Sequence, residues 1–122
     1  KCFGCMKTRK IPVTQRKVQD AIDFIDDNFY KKDMSLNMVA GEIGANASYL
    51  SSIFKKEKGC SLSRYLTQVR LEQAKKYLIE YPDKTLIDIS EAVGYSDAYY
   101  FSKNFKKYYG ISPSKYIEER KN

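Results

Sequence analysis

The chain repeats one segment of its own sequence, and this repeat constrains the fold more than any other feature. Gly44 matches Gly94 at an offset of 50 residues, and after one inserted residue the match continues at an offset of 51. The pairs at the longer offset join Tyr49, Ser51, Phe54, Lys55, Lys56, Gly59, Ser61 and Tyr65 to Tyr100, Ser102, Phe105, Lys106, Lys107, Gly110, Ser112 and Tyr116. The chain is therefore predicted to contain two copies of one small structural unit.

Each repeat carries the signals of two short helices joined by a turn that contains glycine. Side chains that accept backbone hydrogen bonds open such helices, and glycine favours the left-handed conformation just past their ends. The predicted N-caps are Ser35, Asn46, Thr85 and Ser96, and the predicted stops are Gly44, Gly59, Gly94 and Gly110. Thr85 and Asp88 are also spaced as a capping box.

Apolar spacing predicts two further helices, and a proline favoured in a first helical turn predicts a third. One runs from Gln15 to about Tyr30 on Val18, Ile22, Ile25 and Phe29; one runs from Leu62 to Tyr81 on Leu62, Leu66, Val69, Ala74 and Leu78; one starts at Ser112-Pro113. The predicted fold is all-α, with two helix-turn-helix subdomains joined by a long connector helix and about seven helices in total. The expected division is a linker or arm from a preceding domain over 1–14, a first subdomain over 15–60, the connector over 61–82 and a second subdomain over 83–122.

The amino-acid composition limits the classes of function that the chain can have. With 22 Lys and Arg against 15 Asp and Glu, the net charge of +7 suits a polyanion such as nucleic acid, or an anionic membrane surface. No apolar run approaches the roughly 18 residues of a membrane span. The chain has no histidine, no Gly-x-Ser-x-Gly motif and no glycine-rich phosphate loop, so we expect no enzyme activity and no cofactor.

The cysteines allow a second interpretation. Cys2 and Cys5 form a Cys-x-x-Cys pair, but a second pair of zinc ligands is absent from the sequence. We therefore interpret them as a reduced, incidental pair and predict no metal site. A zinc or redox switch is the alternative, and zinc titration distinguishes the two.

The order of elements in each repeat is that of a helix-turn-helix, whose second helix enters the DNA major groove. Small polar residues on the exposed faces of both second helices, together with the basic charge, favour this interpretation. Two generic helical hairpins packed as a bundle are the structural alternative.

Around the second repeat the sequence resembles the C-terminal DNA-binding domain of the AraC/XylS family of bacterial transcription regulators. The resemblance covers residues 15–119 and rests on Gly94-Tyr95-Ser96-Asp97, Tyr100-Phe101-Ser102, Phe105-Lys106-Lys107 and Tyr109-Gly110-Ile111-Ser112-Pro113-Ser114-Lys115-Tyr116. Ser112 replaces the family's usual Thr and keeps the capping hydroxyl. The resemblance implies a cytoplasmic bacterial protein that binds promoter DNA, contacts RNA polymerase and activates, or less often represses, transcription.

The resemblance also implies an N-terminal sensor or receiver domain ahead of this segment. The sequence starts at Lys1 without an initiator Met or a signal peptide, and we accordingly expect a fragment of a longer protein.

The same resemblance selects site residues on the second helix of each repeat. The candidate base-reading residues are Ser48, Tyr49, Ser51, Ser52, Ala98, Tyr99, Ser102 and Lys103. Helix ends, apart from the resemblance, give the candidate phosphate contacts Ser35, Lys55, Lys56, Thr85, Lys106, Lys107 and Ser112. The alternative role of the four lysines is to stabilise the C-terminal ends of their helices. Lys103 can reach the acceptor pair of guanine, whereas serine discriminates weakly between bases.

The connector predicts the geometry of the site. Twenty helical residues extend about 30 Å, close to the roughly 34 Å between successive major grooves on one face of a duplex. One chain is therefore expected to occupy two adjacent grooves of an asymmetric site. The alternatives are a basic helical protein-interaction or membrane-surface module without DNA specificity, and an RNA-binding protein.

Overall fold

A computed structural model describes residues 12–121. Within that range the chain forms seven α-helices and no strand, which confirms the predicted all-α class. The helices are α1 (Val13–Asn28), α2 (Leu36–Ile43), α3 (Ala47–Lys58), α4 (Leu62–Glu80), α5 (Leu86–Ala92), α6 (Ala98–Tyr109) and α7 (Pro113–Lys121). Among the described residues, no helix has the length and apolar character needed to cross a membrane. Cys2 and Cys5 lie outside the described residues.

The chain forms two compact units, each with one helix-turn-helix pair. Of the described residues, the first unit contains 12–27 and 35–65, and the second contains 28–34 and 66–121. The pair α2–α3 belongs to the first unit and the pair α5–α6 to the second. The helix α4 contributes its first turn to the first unit and its remaining residues to the second.

The core of the first unit follows the apolar spacing of its helices. On α1 the predicted Val18, Ile22 and Ile25 are buried, and Ala21 is buried with them. The helix starts at Val13, two residues before the predicted Gln15, because the carbonyl of Pro12 already accepts the N–H of residue 16 at 3.1 Å. The other buried apolar residues of this unit are Val39 and Ala40 on α2, Leu50, Ile53 and Phe54 on α3, and Leu62 on α4.

The core of the second unit corrects two sequence predictions. Phe29 lies beyond the end of α1 and packs against this core. Val69, predicted on the apolar stripe of α4, is only half-buried, while Leu71 is fully buried. Residues advance by about 100° along a helix, so Leu71, with Ala74 and Leu78, shares a face about half a turn away from the one through Val69. The sequence analysis predicted a single apolar stripe along the whole of α4, whereas the helix buries residues on two different faces.

Most predicted helix ends are confirmed. Ser35, Asn46 and Thr85 each accept a hydrogen bond from the backbone N–H three residues later, at 3.2, 3.1 and 3.1 Å. Asp88 completes the capping box by accepting the N–H of Thr85 at 3.3 Å. The left-handed C-caps are Gly44, Gly59 and Gly110, whereas α5 ends at Ala92 and has Val93 as its C-cap, just before Gly94.

The predicted N-cap Ser96 is wrong. Asp97 caps α6, and its carboxylate accepts the N–H of Tyr99 at 2.9 Å. The inserted residue of the second repeat lies in the turn, so that Asp97 and not Ser96 is equivalent to Asn46. Both side chains can cap, and only the length of the turn decides which of them does.

The repeat extends beyond the helix-turn-helix pairs. Ser61 and Ser112 open α4 and α7 by accepting the backbone N–H three residues on, each at 3.1 Å. An aromatic pair also recurs, with ring centroids 5.7 Å apart for Phe54–Tyr65 and 5.9 Å apart for Phe105–Tyr116. The two units therefore use the same contacts to hold the helix that follows α3 or α6.

Candidate DNA-binding surface

The second helix of each pair is anchored by two residues one turn apart. Leu50 and Phe54 on α3 are fully buried, as are Phe101 and Phe105 on α6. Both helices contain 12 residues, carry an exposed Lys-Lys pair at equivalent positions in the last turn, and are followed by a left-handed glycine. Because the buried residues fix which side faces the core, the remaining sides of α3 and α6 are available to a ligand.

Most candidate base-reading residues lie on these available sides. On α3, Ser48, Tyr49, Ser51 and Ser52 are all exposed. On α6, Tyr99 is 73% exposed and Lys103 is exposed, but Ala98 and Ser102 are half-buried. The exposed residues therefore form a small, polar surface on α3 and a larger, aromatic and cationic surface on α6.

Tyr99 and Lys103 lie one turn apart on α6 and interact. The Lys103 ammonium group is 5.9 Å from the centre of the Tyr99 ring, within the range of a cation–π contact. At an exposed position such a contact contributes about 0.5–1 kcal/mol. The contact is weak enough for Lys103 to exchange the ring for a stronger hydrogen-bond acceptor.

The candidate phosphate contacts fall into two chemical groups. Lys55, Lys56, Lys106 and Lys107 are exposed in the last turns of α3 and α6, where cations also complement the free carbonyl groups of a helix end. The hydroxyls of Ser35, Thr85 and Ser112 accept backbone hydrogen bonds as N-caps. A hydroxyl that accepts one bond still has a proton to donate, so capping and phosphate contact are compatible.

Sequence reasoning missed a group of residues that supports α6. Tyr95 is buried in the turn before α6, and its ring centroid lies 6.0 Å from that of Tyr100 and 5.4 Å from that of Phe101 on the helix. Arg70 on α4 lies with its guanidinium carbon 5.6 Å from the centre of the Tyr95 ring. Burial raises the pKa of Tyr95, and Asn104 and Arg70 partly oppose that rise. The signal in the sequence was the extra residue of the second turn, which has no counterpart in the first repeat.

Comparison with known proteins identifies the family. A family model described as a helix-turn-helix domain matches residues 39–119. The lactose operon transcription activator of Staphylococcus xylosus is 42% identical over 108 residues, which are 88% of this chain and 38% of that protein. The chain thus spans little more than a third of that activator, and it spans 33% of the Msm operon regulatory protein of Streptococcus mutans, to which it is 40% identical over 93 residues, 76% of this chain.

Solved structures agree with this assignment. The C-terminal domain of AraT, a response regulator from Geobacillus stearothermophilus, is similar with a TM-score of 0.79 and 34% identity, covering 91% of this chain and 88% of that one. The DNA-binding domain of AdpA, solved in complex with a target DNA, shares the fold with a TM-score of 0.77 at 16% identity, covering 84% and 91%. This chain belongs to the AraC/XylS family of helix-turn-helix proteins and is a DNA-binding domain of transcription regulation.

Proposed function

We propose that the chain reads bacterial promoter DNA through α3 and α6, each inserted into the major groove. The observation that carries this proposal is the similarity of the two helices. They are equal in length, are anchored by equivalent buried residues and carry a Lys-Lys pair at equivalent positions in the last turn. The protein acts by binding DNA and regulates transcription in the bacterial cytoplasm.

The two helices differ in what they can read. Ser48, Ser51 and Ser52 offer hydroxyl groups, which donate to or accept from several base edges and discriminate weakly. Lys103 is a cation that can donate to the O6 and N7 of guanine, and Tyr99 can contact a thymine methyl group. The second unit therefore supplies most of the base preference. Tyr49, Ala98 and Ser102 are the remaining base-reading candidates and lie on the same helices.

Phosphate contacts supply most of the affinity. In this proposal at least one lysine of each pair, Lys55 or Lys56 and Lys106 or Lys107, neutralises a backbone phosphate. The caps Ser35, Thr85 and Ser112 contribute hydroxyl protons and neighbouring backbone N–H groups. These contacts set the register of the units on the duplex without reading its sequence.

One chain binds two successive major grooves in this proposal. The helix α4 contains 19 residues, a length of about 28 Å at 1.5 Å per residue. Successive grooves on one face of the duplex are roughly 34 Å apart. Because the outward residues of α3 and α6 differ, the two halves of the site differ in sequence.

The relatives named above suggest which partners this protein has. The matched proteins include an activator of a lactose operon and a response regulator, and the chain covers only part of the activator. We extend this to a full-length regulator in which a sensor or receiver domain controls the described units and RNA polymerase is contacted at the promoter.

Selection of bound sequences from a random duplex pool tests the proposal. We expect enrichment of one asymmetric motif spanning about two helical turns. With about four phosphates neutralised, affinity for that motif should fall on the order of 100-fold between 50 and 200 mM salt. A pool that stays random, with equal affinity for heparin, would favour a basic protein-interaction module instead.

A further inference from the structure

The tyrosine that follows each recognition helix has different partners in the two units. Tyr65 and Tyr116 are equivalent in the repeat, and each lies half-buried in the first turn of the next helix, α4 or α7. Each ring packs against the fully buried phenylalanine of its recognition helix, Phe54 on α3 or Phe105 on α6. The remaining contacts of the two tyrosines are unlike in kind.

In the first unit the hydroxyl group of Tyr65 is bonded to α1. It donates to Oδ1 of Asp26 at 3.0 Å, across 39 residues of sequence. The backbone N–H of Tyr65 donates to the carbonyl of Ser61 at 3.0 Å. The side chain is therefore held at both ends, and its ring meets that of Phe54 edge to face at 61°. Phe54 accordingly packs against a surface of fixed orientation.

In the second unit cations contact the ring of Tyr116. The Lys75 ammonium group and the guanidinium carbon of Arg120 each lie 5.7 Å from its centre. A cation–π contact depends on the face of the ring and not on the hydroxyl group. Phenylalanine at this position would keep these contacts, whereas phenylalanine at position 65 would lose the bond to Asp26.

A short connection links the hydrogen-bonded tyrosine to α3. Only Gly59, Cys60 and Ser61 separate α3 from α4. Gly59 has a φ of 80° and donates its N–H to the carbonyl of Lys55 at 2.8 Å. Ser61 then caps α4 by accepting the N–H of Arg64 at 3.1 Å. Because this connection is bonded at both ends, an anchor on the first turn of α4 also restrains the end of α3.

The segment before α3 is attached to α1 as well. The Lys17 ammonium group donates to the carbonyl of Ile43, the last residue of α2, at 3.5 Å. This bond is longer than the one between Tyr65 and Asp26, and thus the weaker of the two. The helix α1 therefore makes polar contacts with both elements that flank α3 in the first unit.

We propose that Asp26 and Tyr65 form a positioning pair that fixes the rotation of α3 about its axis, and with it the base preference of the first unit. This inference rests on the proposed function of α3 in reading bases. Apolar packing tolerates small rotations of a helix, whereas a hydrogen bond is directional and restricts them. Ser51 and Ser52 lie within one turn of Phe54, so a rotation displaces their hydroxyl groups with it.

The length of the reading side chains explains why the two units differ. A serine hydroxyl lies close to the helix backbone and cannot reach a base edge if the helix is displaced. The long, flexible side chain of Lys103 can compensate for such a displacement on α6. The first unit therefore needs the stricter positioning of α3, and the hydrogen-bonded tyrosine supplies it.

The test compares Tyr65→Phe with Tyr116→Phe, the same substitution at the equivalent position of the other unit. Affinities are measured on duplexes that carry the selected motif or a scrambled version of either half. We expect Tyr65→Phe to lower discrimination at the α3 half about threefold, the equivalent of one ordinary hydrogen bond. Discrimination at the α6 half should stay unchanged, and Tyr116→Phe should change neither half. Tyr81→Phe, at an exposed tyrosine outside both recognition helices, controls for the loss of a hydroxyl group.

The partner residue gives an independent variant. Asp26→Ala removes the acceptor and should reproduce the effect of Tyr65→Phe at the α3 half. The double variant should show no additional loss, because both substitutions remove the same bond. Thermal unfolding verifies that each variant is folded. Asp26 is exposed on α1, so Asp26→Ala carries the comparison if Tyr65→Phe does not fold.

The possible failures are distinguishable. If Ser51→Ala or Ser52→Ala relaxes the α3 half but neither Tyr65→Phe nor Asp26→Ala does, the positioning pair is wrong and the proposed function stands. If the substitutions on the outward face of α3 leave the preference at that half unchanged, α3 does not read bases, and both proposals fail for the first unit. Equal losses at both halves, or an equal loss from Tyr116→Phe, would overturn the positioning pair and reduce it to a general contribution to stability.

Discussion

Tyr109 has a buried hydroxyl group with no hydrogen-bond partner among the described residues. Its ring packs 4.7 Å from that of Phe105, and the Lys75 ammonium group lies 4.5 Å from its centre. Burial, aided by Glu72, raises the pKa of Tyr109 to about 12. The ring stabilises the second unit, while the hydroxyl opposes that effect because it has lost water without gaining a partner.

Tyr109→Phe should therefore raise the free energy of unfolding by about 1 kcal/mol at pH 7. The tyrosine should also contribute to alkaline unfolding. Its pKa is about 12 in the folded chain against 10.0 ordinarily, so the unfolded chain loses the phenol proton first, and the free energy of unfolding falls as the pH rises from 10 toward 12 and is unaffected by this group below pH 10. Urea unfolding at pH 7 and between pH 10 and 12 measures both effects, with Tyr81→Phe as control. An identical alkaline loss in the variant would contradict this assignment.

Lys103 and Lys107 provide the sharpest contrast between reading bases and binding phosphate. Lys103→Ala should cost about 1–3 kcal/mol on the selected motif and little on duplexes that differ at the base it reads. Lys107→Ala should weaken all duplexes alike and reduce the salt slope by about 1. Affinities for the motif and its single-base variants measure the difference. Uniform losses from both substitutions would make Lys103 a phosphate contact.

At the scale of elements, the N-cap of α6 gives the adjacent polar residues Ser96 and Asp97 different roles in stability, since only Asp97 caps the helix. Asp97→Ala removes the carboxylate that accepts the N–H of Tyr99 and should lower the unfolding free energy by about 1 kcal/mol. Ser96→Ala is the matched control and should change it by less than about 0.5 kcal/mol, since Ser96 is exposed and does not cap. Thermal unfolding of both variants decides, and a larger loss at Ser96 would contradict the observed cap.

The turn before α6 also depends on glycine. Gly94 and Gly110 both have positive φ, at 102° and 86°, so alanine is strained at either position. Only Gly94→Ala adds a collision, with the carbonyl of Phe29 and the guanidinium of Arg70, whereas Gly110 has nothing within 4 Å of a Cβ. We expect Gly94→Ala to cost at least about 1 kcal/mol more than Gly110→Ala. Equal losses in urea unfolding would show that the segment around Phe29 yields without cost.

For the whole molecule, the decisive quantity is the number of chains on one site. Two different recognition helices on one chain predict a single copy per asymmetric motif, in contrast to a dimer on a palindrome. Light scattering of the complex gives the stoichiometry, and footprinting gives the length of protected duplex, which should be about two turns. Two copies per site, or protection confined to one groove, would contradict the tandem arrangement.

Much of the architecture was predictable because its causes are local. A capping side chain contacts a backbone group three residues away, and a glycine ends a helix through its own φ, so Ser35, Asn46 and Gly59 were identified from neighbouring residues alone. The repeat then made each feature of α3 a prediction for α6. The buried residues Phe54 and Phe105, and the exposed lysines that follow them, were predicted in this way.

The remaining features depend on contacts between distant residues. Leu71 rather than Val69 is buried because α4 buries two faces. The hydrogen bonds of Arg70 reach 41 and 39 residues back along the chain. Sequence patterns show the spacing of apolar residues and the end signals of each helix. These patterns were sufficient to predict the seven helices and the repeat. Only tertiary packing decided which side chains support α6, because burial and directional bonds depend on neighbours that no local pattern contains.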